Sequence, residues 1–519
     1  MPDAPQPRLA KSYAANVVLV VLTLFPGLIN TSAIALAAPV IGRDLGVAPD
    51  TAAAIPLISD AALAFGCVAG AEVTRRFDSR ALYFALLALS LLSSLASALA
   101  PSFGVLLAAH VAHGLAAGML FIVVLPPLLT NFGSEKLPAT ASLIVPALFG
   151  SVTFGPPLGG LVAAPGIWRA IFAAEVVVAL AAMLLARTVI EKREPQGSDQ
   201  PVDWFALVTS GIGSLLIYLG IGGLAGSDWR NALASGPFVA GLVMYAILIA
   251  GEARKAHPLV PVRKLATSLA IVGTIATVVG SAAFSALTQS FALTLLRADG
   301  LGARGTGLAF WPEFLTAIAS GYLFGRAVTT KWVVLVGAAG LCCIALAAAL
   351  ARAAAPVDAA QVGWLCLIGG FGAGLSVSPG LFVVTLSFER ALVGRAIALL
   401  NLFRLTGGFV SSPGVEHTIG SQAVNHLRAI DPSIPAPAAE SVVRAFITGR
   451  ALPPGAPLGA LKRALVLGVD DAYVIVLLLA LAGALAIGAL LIATHVRLRA
   501  PDLARFDKGE PALDAPALA

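Results

Sequence analysis

Charged side chains are scarce in this sequence. Asp, Glu, Lys and Arg make up 12% of 519 residues, against roughly 25% in an ordinary globular protein. With 58% hydrophobic residues and a mean hydropathy of +0.92, the chain has more apolar surface than a soluble core can bury. A water-soluble domain is therefore excluded. Cysteine is sparse too: Cys67, Cys342, Cys343 and Cys366 all fall inside apolar runs, without metal-ligand spacing. That excludes a zinc site and argues against a disulfide framework. Aromatics are only 7%, too few to mark a cage for a flat cation. The phosphate-binding pattern G-x-x-x-x-G-K-[ST] is absent, so energy from a nucleotide is not indicated. The net charge of +6 does not point to nucleic acid, because the basic residues punctuate apolar runs instead of clustering. No cofactor is expected.

Long apolar runs are what the chain has in abundance. About 20 apolar residues cross a bilayer as a helix. Runs near 16–41, 52–73, 81–100, 103–131, 138–164 and 167–190 are followed by the charged break "EKREPQGSDQPVD". Two more lie near 204–224 and 236–251, then six near 266–296, 306–328, 331–352, 361–388, 394–417 and 472–495. The reading is an all-α polytopic membrane protein with fourteen transmembrane helices as 6+2+6. The first run is too long for the 7–15-residue apolar region of a signal peptide, so it is read as an uncleaved span.

Lys and Arg set the orientation. With the N-terminus inside, the inner segments hold 21 of them and the short outer loops 6, as expected when cytoplasmic loops retain positive charge. The expected organisation is a cytoplasmic N-terminus 1–15, a six-helix bundle 16–190, a linker 191–265 with two inserted spans, a second bundle 266–495 and a cytoplasmic tail 496–519. Within the second bundle a long outer loop, 418–471, is rich in proline and reads either as short helices on the outer face or as a linker.

Several motifs occur in a telling order. "GPPLGG" (155–160) falls in the fifth span, "IWRAIF" (167–172) opens the sixth, and "VDW" (202–204) and "KAHPLV" (255–260) flank the inserted pair. "NLFRLTGG" (401–408) lies in the thirteenth span and "DDAY" (470–473) opens the last. Together they resemble the major facilitator superfamily, in its fourteen-span drug:proton antiporter branch of the EmrB/QacA type. The resemblance implies the major facilitator fold and assigns Gly155, Pro156, Gly159 and Gly160 to an antiporter motif that seals the two halves and limits leakage. The plainer reading of these residues is a small-residue packing face.

The departures from the family pattern are equally specific. Asn30 stands where the family has a membrane-embedded aspartate in span one, and "HVAHG" (110–114) replaces an R-x-x-Q-G. Glu175 occupies the place of an Asn seven positions after the span-six Trp. In "AEVTRRFDSR" (71–80), Arg75 and Asp78 take the family's aspartate and glycine positions. The family's aspartate–arginine proton pair therefore does not carry over. At 1.5 Å per residue, Asp60, His110, His113, Glu175 and Glu313 all lie about 10–15 Å deep, with Asn30 and Arg404 near the same level. Ionisable groups at that depth mark ion or substrate paths. Asp60 with His110 and His113 forms a candidate proton or cation site, or else a polar layer locking the first bundle. Arg75, Arg76, Asp78 and Arg80 read as an inner-face latch or as a topogenic cluster, and Glu389, Arg390 and Arg395 as their counterpart.

The resemblance implies a secondary transporter that exports small organic compounds by alternating access, coupled to protons, in a bacterial inner membrane with lipid around it. A periplasmic adaptor and an outer-membrane channel are partners known for some relatives; nothing in the residues requires them. The alternative is a transporter-like receptor or assembly subunit that binds a ligand without coupled transport. No catalytic constellation is present, and an enzyme is not expected.

Overall fold

The computed structural model describes residues 12–190, 192, 201–224 and 232–513. Arg8, Lys11, Arg193 and Arg230 of the charge count lie outside the described residues, as do 514–519 of the expected tail. The first six long helices are α1 (Tyr13–Asp44), α2 (Ala54–Arg76), α3 (Ser79–Ala98), α4 (Phe103–Thr130), α5 (Leu137–Ala163) and α6 (Arg169–Val189). The inserted pair is α7 (Trp204–Leu224) and α8 (Ala232–Arg254). Then come α9 (Ser268–Leu293), α10 (Ala303–Ala309), α11 (Trp311–Ala327), α12 (Val336–Ala353) and α13 (Ala359–Leu386). The chain ends with α14 (Arg390–Ile430), α15 (Ala436–Thr448), α16 (Leu458–Ala493) and a short α17 (Leu503–Asp507).

Thirteen of these helices are long and apolar enough to cross a membrane. The expected run 306–328 is instead split at Phe310 into α10 and the 17-residue α11, and α11 is not among the thirteen. Pro312, at the start of α11, cannot donate a helical hydrogen bond, and the chain turns there. Large apolar side chains such as Leu485 and Ile492 point outward at 72% and 76% exposure, as expected of lipid-facing positions.

The helices pack through small residues, since lipid leaves dispersion and backbone approach as the main glue. A Cβ on Gly114 or Gly118 of α4 would meet the carbonyls of Ser59 and Leu63 on α2. On the other side, a Cβ on Gly372 of α13 would lie 2.6 Å from the Gly340 carbonyl of α12. The two halves meet where α5 packs on α10 and α11, and where α2 packs on α14.

The inserted pair lies beside that second seam, packed on α2 and α14. Tyr245 of α8 joins it to α14, bonding Ser214 at 2.8 Å and Thr406 at 3.1 Å. Its two flanking motifs close on each other: Lys255 pairs with both Asp203 and Glu252, and Glu252 accepts from the Val260 amide at 2.9 Å. Burial opposes the Asp203 charge, but the bonds from Lys255 and the Ala206 amide outweigh it and hold the carboxyl below its usual range.

Most of the expected outer loop 418–471 is helical. α14 runs 41 residues, about 60 Å, roughly twice the hydrocarbon thickness. From Val415, just inside the expected end of the span, Ile419, Ala423 and Leu427 continue a buried stripe at every fourth residue. That stripe meets α16 and the amphipathic α15, whose Ala439, Val443, Phe446 and Ile447 are buried. At the opposite end the tail folds back. Asp507 accepts from the Ser134 amide and hydroxyl, both at 2.8 Å, while the Ala512 and Leu513 amides donate to the Leu386 carbonyl. The tail thus ties the first half to the second on the face away from α15.

Candidate functional site

A cavity of about 920 Å³ lies between the two halves. Leu28, Thr31 and Ser32 of α1, Asp60 of α2 and Phe149 of α5 form one wall. The other carries Ser281 and Gln289 of α9, Glu313 of α11, Ser378 of α13, and Arg404 and Glu416 of α14. It extends up to Glu440 and Arg444 of α15. Its surface is largely apolar, with ionisable groups set into both walls, the usual form of a small-molecule site.

Those charges are arranged in opposition. Arg404 Nε donates to Asn401 Oδ1 at 2.8 Å, so the Asn and Arg of "NLFRLTGG" hold each other on one turn. The Arg404 charge acts on Asp60 and Cys67 across the seam. Near α15, Gln289 donates to Glu416 Oε2 at 2.8 Å, and the Arg297 charge acts on Glu416. Arg297 Nε in turn donates to the Ile447 carbonyl at 2.8 Å. Its guanidinium lies under Gly449, at φ +75°, where a Cβ would stand 2.7 Å from Nη1. Glycine is needed there both for the backbone and for the contact. Glu313 is 2% exposed beside the break at Phe310, with Cys366 of α13 as its neighbour.

The expected grouping of Asp60 with the two histidines does not form. Asp60 faces the cavity, whereas His110 and His113 are buried inside the first bundle. Gly114 and Gly118 of α4 press against α2, while His113 reaches Ser94 of α3 and His110 meets Phe172 of α6. His113 Nδ1 lies 3.4 Å from Ser94 Oγ, which donates to Glu175 Oε2 at 2.9 Å. Asn30 of α1 approaches the same carboxylate. His110 bonds the Leu106 carbonyl through Nδ1 and meets the Phe172 ring edge-on.

The glycine motif divides its contacts. A Cβ on Gly155 or Gly159 would collide with Ser32 and Ala33 of α1, and one on Gly160 with Ala303 of α10, in the other half. Pro156 presents its carbonyl 2.5 Å from a Cβ built on Gly307. In "IWRAIF", Trp168 Nε1 donates to Asp44 at 2.8 Å and Arg169 to the Ala100 carbonyl at 3.0 Å, fixing three helix ends together.

At the opposite face, Arg75 and Arg76 pair with buried Glu72, Asp78 caps α3 at the Ala81 amide, and Arg80 donates to the Arg187 carbonyl. Arg395 donates to the Pro258 carbonyl, Arg390 to the Phe506 carbonyl, and Glu389 pairs with Lys264. Glu416, Arg297, Ser94 and Asp507 were not anticipated as functional. The buried stripe from Val415 to Leu427 was the available signal for the first, since it carries the helix past the expected boundary.

Residues 20–412 match the Major Facilitator Superfamily. The chain belongs to that family. It is 26% identical over 417 residues to the cephamycin export protein CmcT of Amycolatopsis lactamdurans, covering 77% of this chain and 84% of that protein. It is 31% identical over 234 residues to the lincomycin resistance protein of Streptomyces lincolnensis, covering 44% of this chain and 47% of that one. Among solved structures, that of the human organic anion transporter MFSD10 (TETRAN) superposes with a TM-score of 0.56 at 14% identity, over 91% of this chain and all of the other. This major facilitator is thus a multi-pass membrane transporter with antibiotic exporters among its relatives.

Proposed function

We propose that this chain exports small amphiphilic organic compounds by alternating access in exchange for protons, as a fourteen-span antiporter of the EmrB/QacA type. One observation carries the reading: a cavity between the two halves has Asp60 on one wall and Arg404 on the other. Acids and arginines set in an apolar wall suit compounds with both an apolar body and a charged group, and one relative is named for the export of a cephamycin. A carboxylate that faces both substrate and solvent lets proton and substrate exclude one another, which is the requirement for antiport. By the Lys/Arg bias the termini are cytoplasmic, so the cavity reaches toward the outer face, under α15. Arg75, Arg76 and the folded-back tail then close the inner side. The domain division into 16–190, 191–265 and 266–495 follows from the same reading.

The test is accumulation of lincomycin, a cephamycin and ethidium in cells overproducing the protein, with and without a protonophore. Export that persists when the proton gradient is collapsed removes proton coupling. Binding of a compound with no change in its accumulation favours the receptor reading instead.

A further inference from the structure

We propose that Glu175 and His113 form a second proton-binding site, walled off from the cavity inside the first bundle. Glu175, His113, Ser94 and Asn30 come from α6, α4, α3 and α1 and are each at most 4% exposed. Ser94 Oγ spends its one proton on Glu175 Oε2, so at its other contact it accepts, and His113 Nδ1 must carry a hydrogen. The Ser90 backbone is a further polar neighbour of this imidazole. His113 Nε2 is therefore left as a bare acceptor. It has no partner, and neither has Glu175 Oε1.

Both residues border one small space of about 10 Å³, close to the size of a single water-sized sphere. On the rest of its wall Thr23 gives its hydroxyl to the Leu19 carbonyl and accepts from Tyr83, the Ser90 hydroxyl is the one remaining side-chain donor, and Gly27, Pro26, Ala117 and Ala179 have none to give. Two buried acceptors facing one space with a single hydroxyl between them leave one acceptor unmet, which is costly. A proton there resolves the conflict, because a protonated carboxyl or imidazolium supplies the missing donor. The titratable group next to this pair is His110 on α4, whose Nε2 is likewise unpartnered; α3 contributes Ser94 and α1 contributes Asn30. Among the described residues no three His, Cys, Asp or Glu side chains come together as a metal site.

α1 links this site to the cavity. A Cβ on Gly27 would stand 3.4 Å from His113 Nε2. One turn on, Leu28, Thr31 and Ser32 line the cavity, and Ser32 and Ala33 press on the glycines of α5. A tilt of α1 therefore changes both sites at once.

The role in transport rests on the proton-antiport reading; the existence of the site does not. Infrared difference spectra of the full chain in liposomes, taken across a pH titration without substrate, test existence. A protonated-carboxyl C=O band should vanish in Glu175→Gln, survive in Asp60→Asn and shift in His113→Asn. Spectra of Glu175→Gln that match the wild type overturn the proposal. The transport arm uses lincomycin flux in proteoliposomes with the membrane potential clamped at zero. With two protons per substrate, a tenfold substrate gradient is nulled by about 0.5 pH unit; with one, by about 1 unit. Glu175→Gln should double the nulling gradient, and an unchanged value refutes the coupling role. A wild type indifferent to the pH gradient sinks the antiport reading alone, since the infrared band still decides the site.

Discussion

Gly159→Leu puts the contact between α1 and α5 to a quantitative test. A single Cβ at Gly159 would already fall on the Ala33 peptide, 2.8 Å from its carbonyl carbon and 2.9 Å from its Cα. Ordinary carbon contacts settle at about 3.5–4.0 Å, so α1 and α5 must part by roughly 1 Å before the rest of the leucine is placed. The obstacle is backbone and cannot rotate away. Overpacking of this kind costs about 1–3 kcal/mol. If 2 of those fall on only one of two alternating states, their ratio shifts about thirtyfold. The protein should still insert, because the change adds apolar surface. Proteoliposomes should then show a faster passive proton leak and weaker pH-driven lincomycin flux. Gly488→Leu is the control, since a side chain there meets nothing within 4 Å. Wild-type flux and leak in Gly159→Leu would show that the motif is packing without consequence for coupling.

Other predictions concern separate parts of the molecule. Asp60→Asn should leave lincomycin binding measurable yet abolish accumulation driven by a pH gradient, because it removes the group that makes proton and substrate exclusive; normal flux would move attention to Glu313. Lys255→Ala should destabilise the base of the inserted pair by about 1–2 kcal/mol at neutral pH, read as a lower thermal midpoint in detergent. Asp203 is depressed in the fold, so its contribution is present above the usual carboxylate range and disappears as pH falls through its lowered value; the wild-type advantage over Lys255→Ala should shrink only in acid. Asp507→Ala removes two bonds to Ser134 and should make the tail more sensitive to protease, and an unchanged digestion pattern would mean the tail is held by Phe506 and Leu513 alone. A reporter after Ala519 should be active only in the cytoplasm and one near Gly455 only outside; both on one side would overturn the orientation.

Apolar runs between charges located nearly every helix, because a bilayer permits few alternatives to a continuous helix. Where polar residues continue a helix beyond the bilayer, run length misleads. α14 passes its expected end at 417 because Val415, Ile419, Ala423 and Leu427 find α15 and α16 to pack on. The polar level of the site was legible from depth, but its partners were not. Depth along a helix fixes one coordinate, and the rotation that turns His113 to Ser94 and away from Asp60 is set by glycine contacts between α2 and α4. Such contacts leave no trace in hydropathy. The tail was invisible for a different reason: its hold on Leu386 is made through backbone groups, which every sequence has.

Two departures from the family pattern meet in one place, and this bears on how to read them. The drug:proton antiporter branch that the sequence resembles is expected to carry an acid in span one and a carboxamide in span six; here Asn30 and Glu175 reverse that order. Taken singly, each looks like loss of the chemistry that the resemblance implies. In the fold Asn30 approaches the Glu175 carboxylate, with Ser94 bonding the same group and His113 behind it. The cluster therefore keeps one acid and one carboxamide, with the charge carried on α6 in place of α1. A buried carboxylate costs several kcal/mol unless it is bonded or protonated, so its survival away from the usual helix argues for retention of a function over decay. The double exchange Asn30→Asp with Glu175→Asn restores the family order at constant composition. It should keep more pH-driven lincomycin flux than either single change. If the double variant is no better than the worse of the two singles, the exchange is not a compensated pair and the two departures must be explained separately.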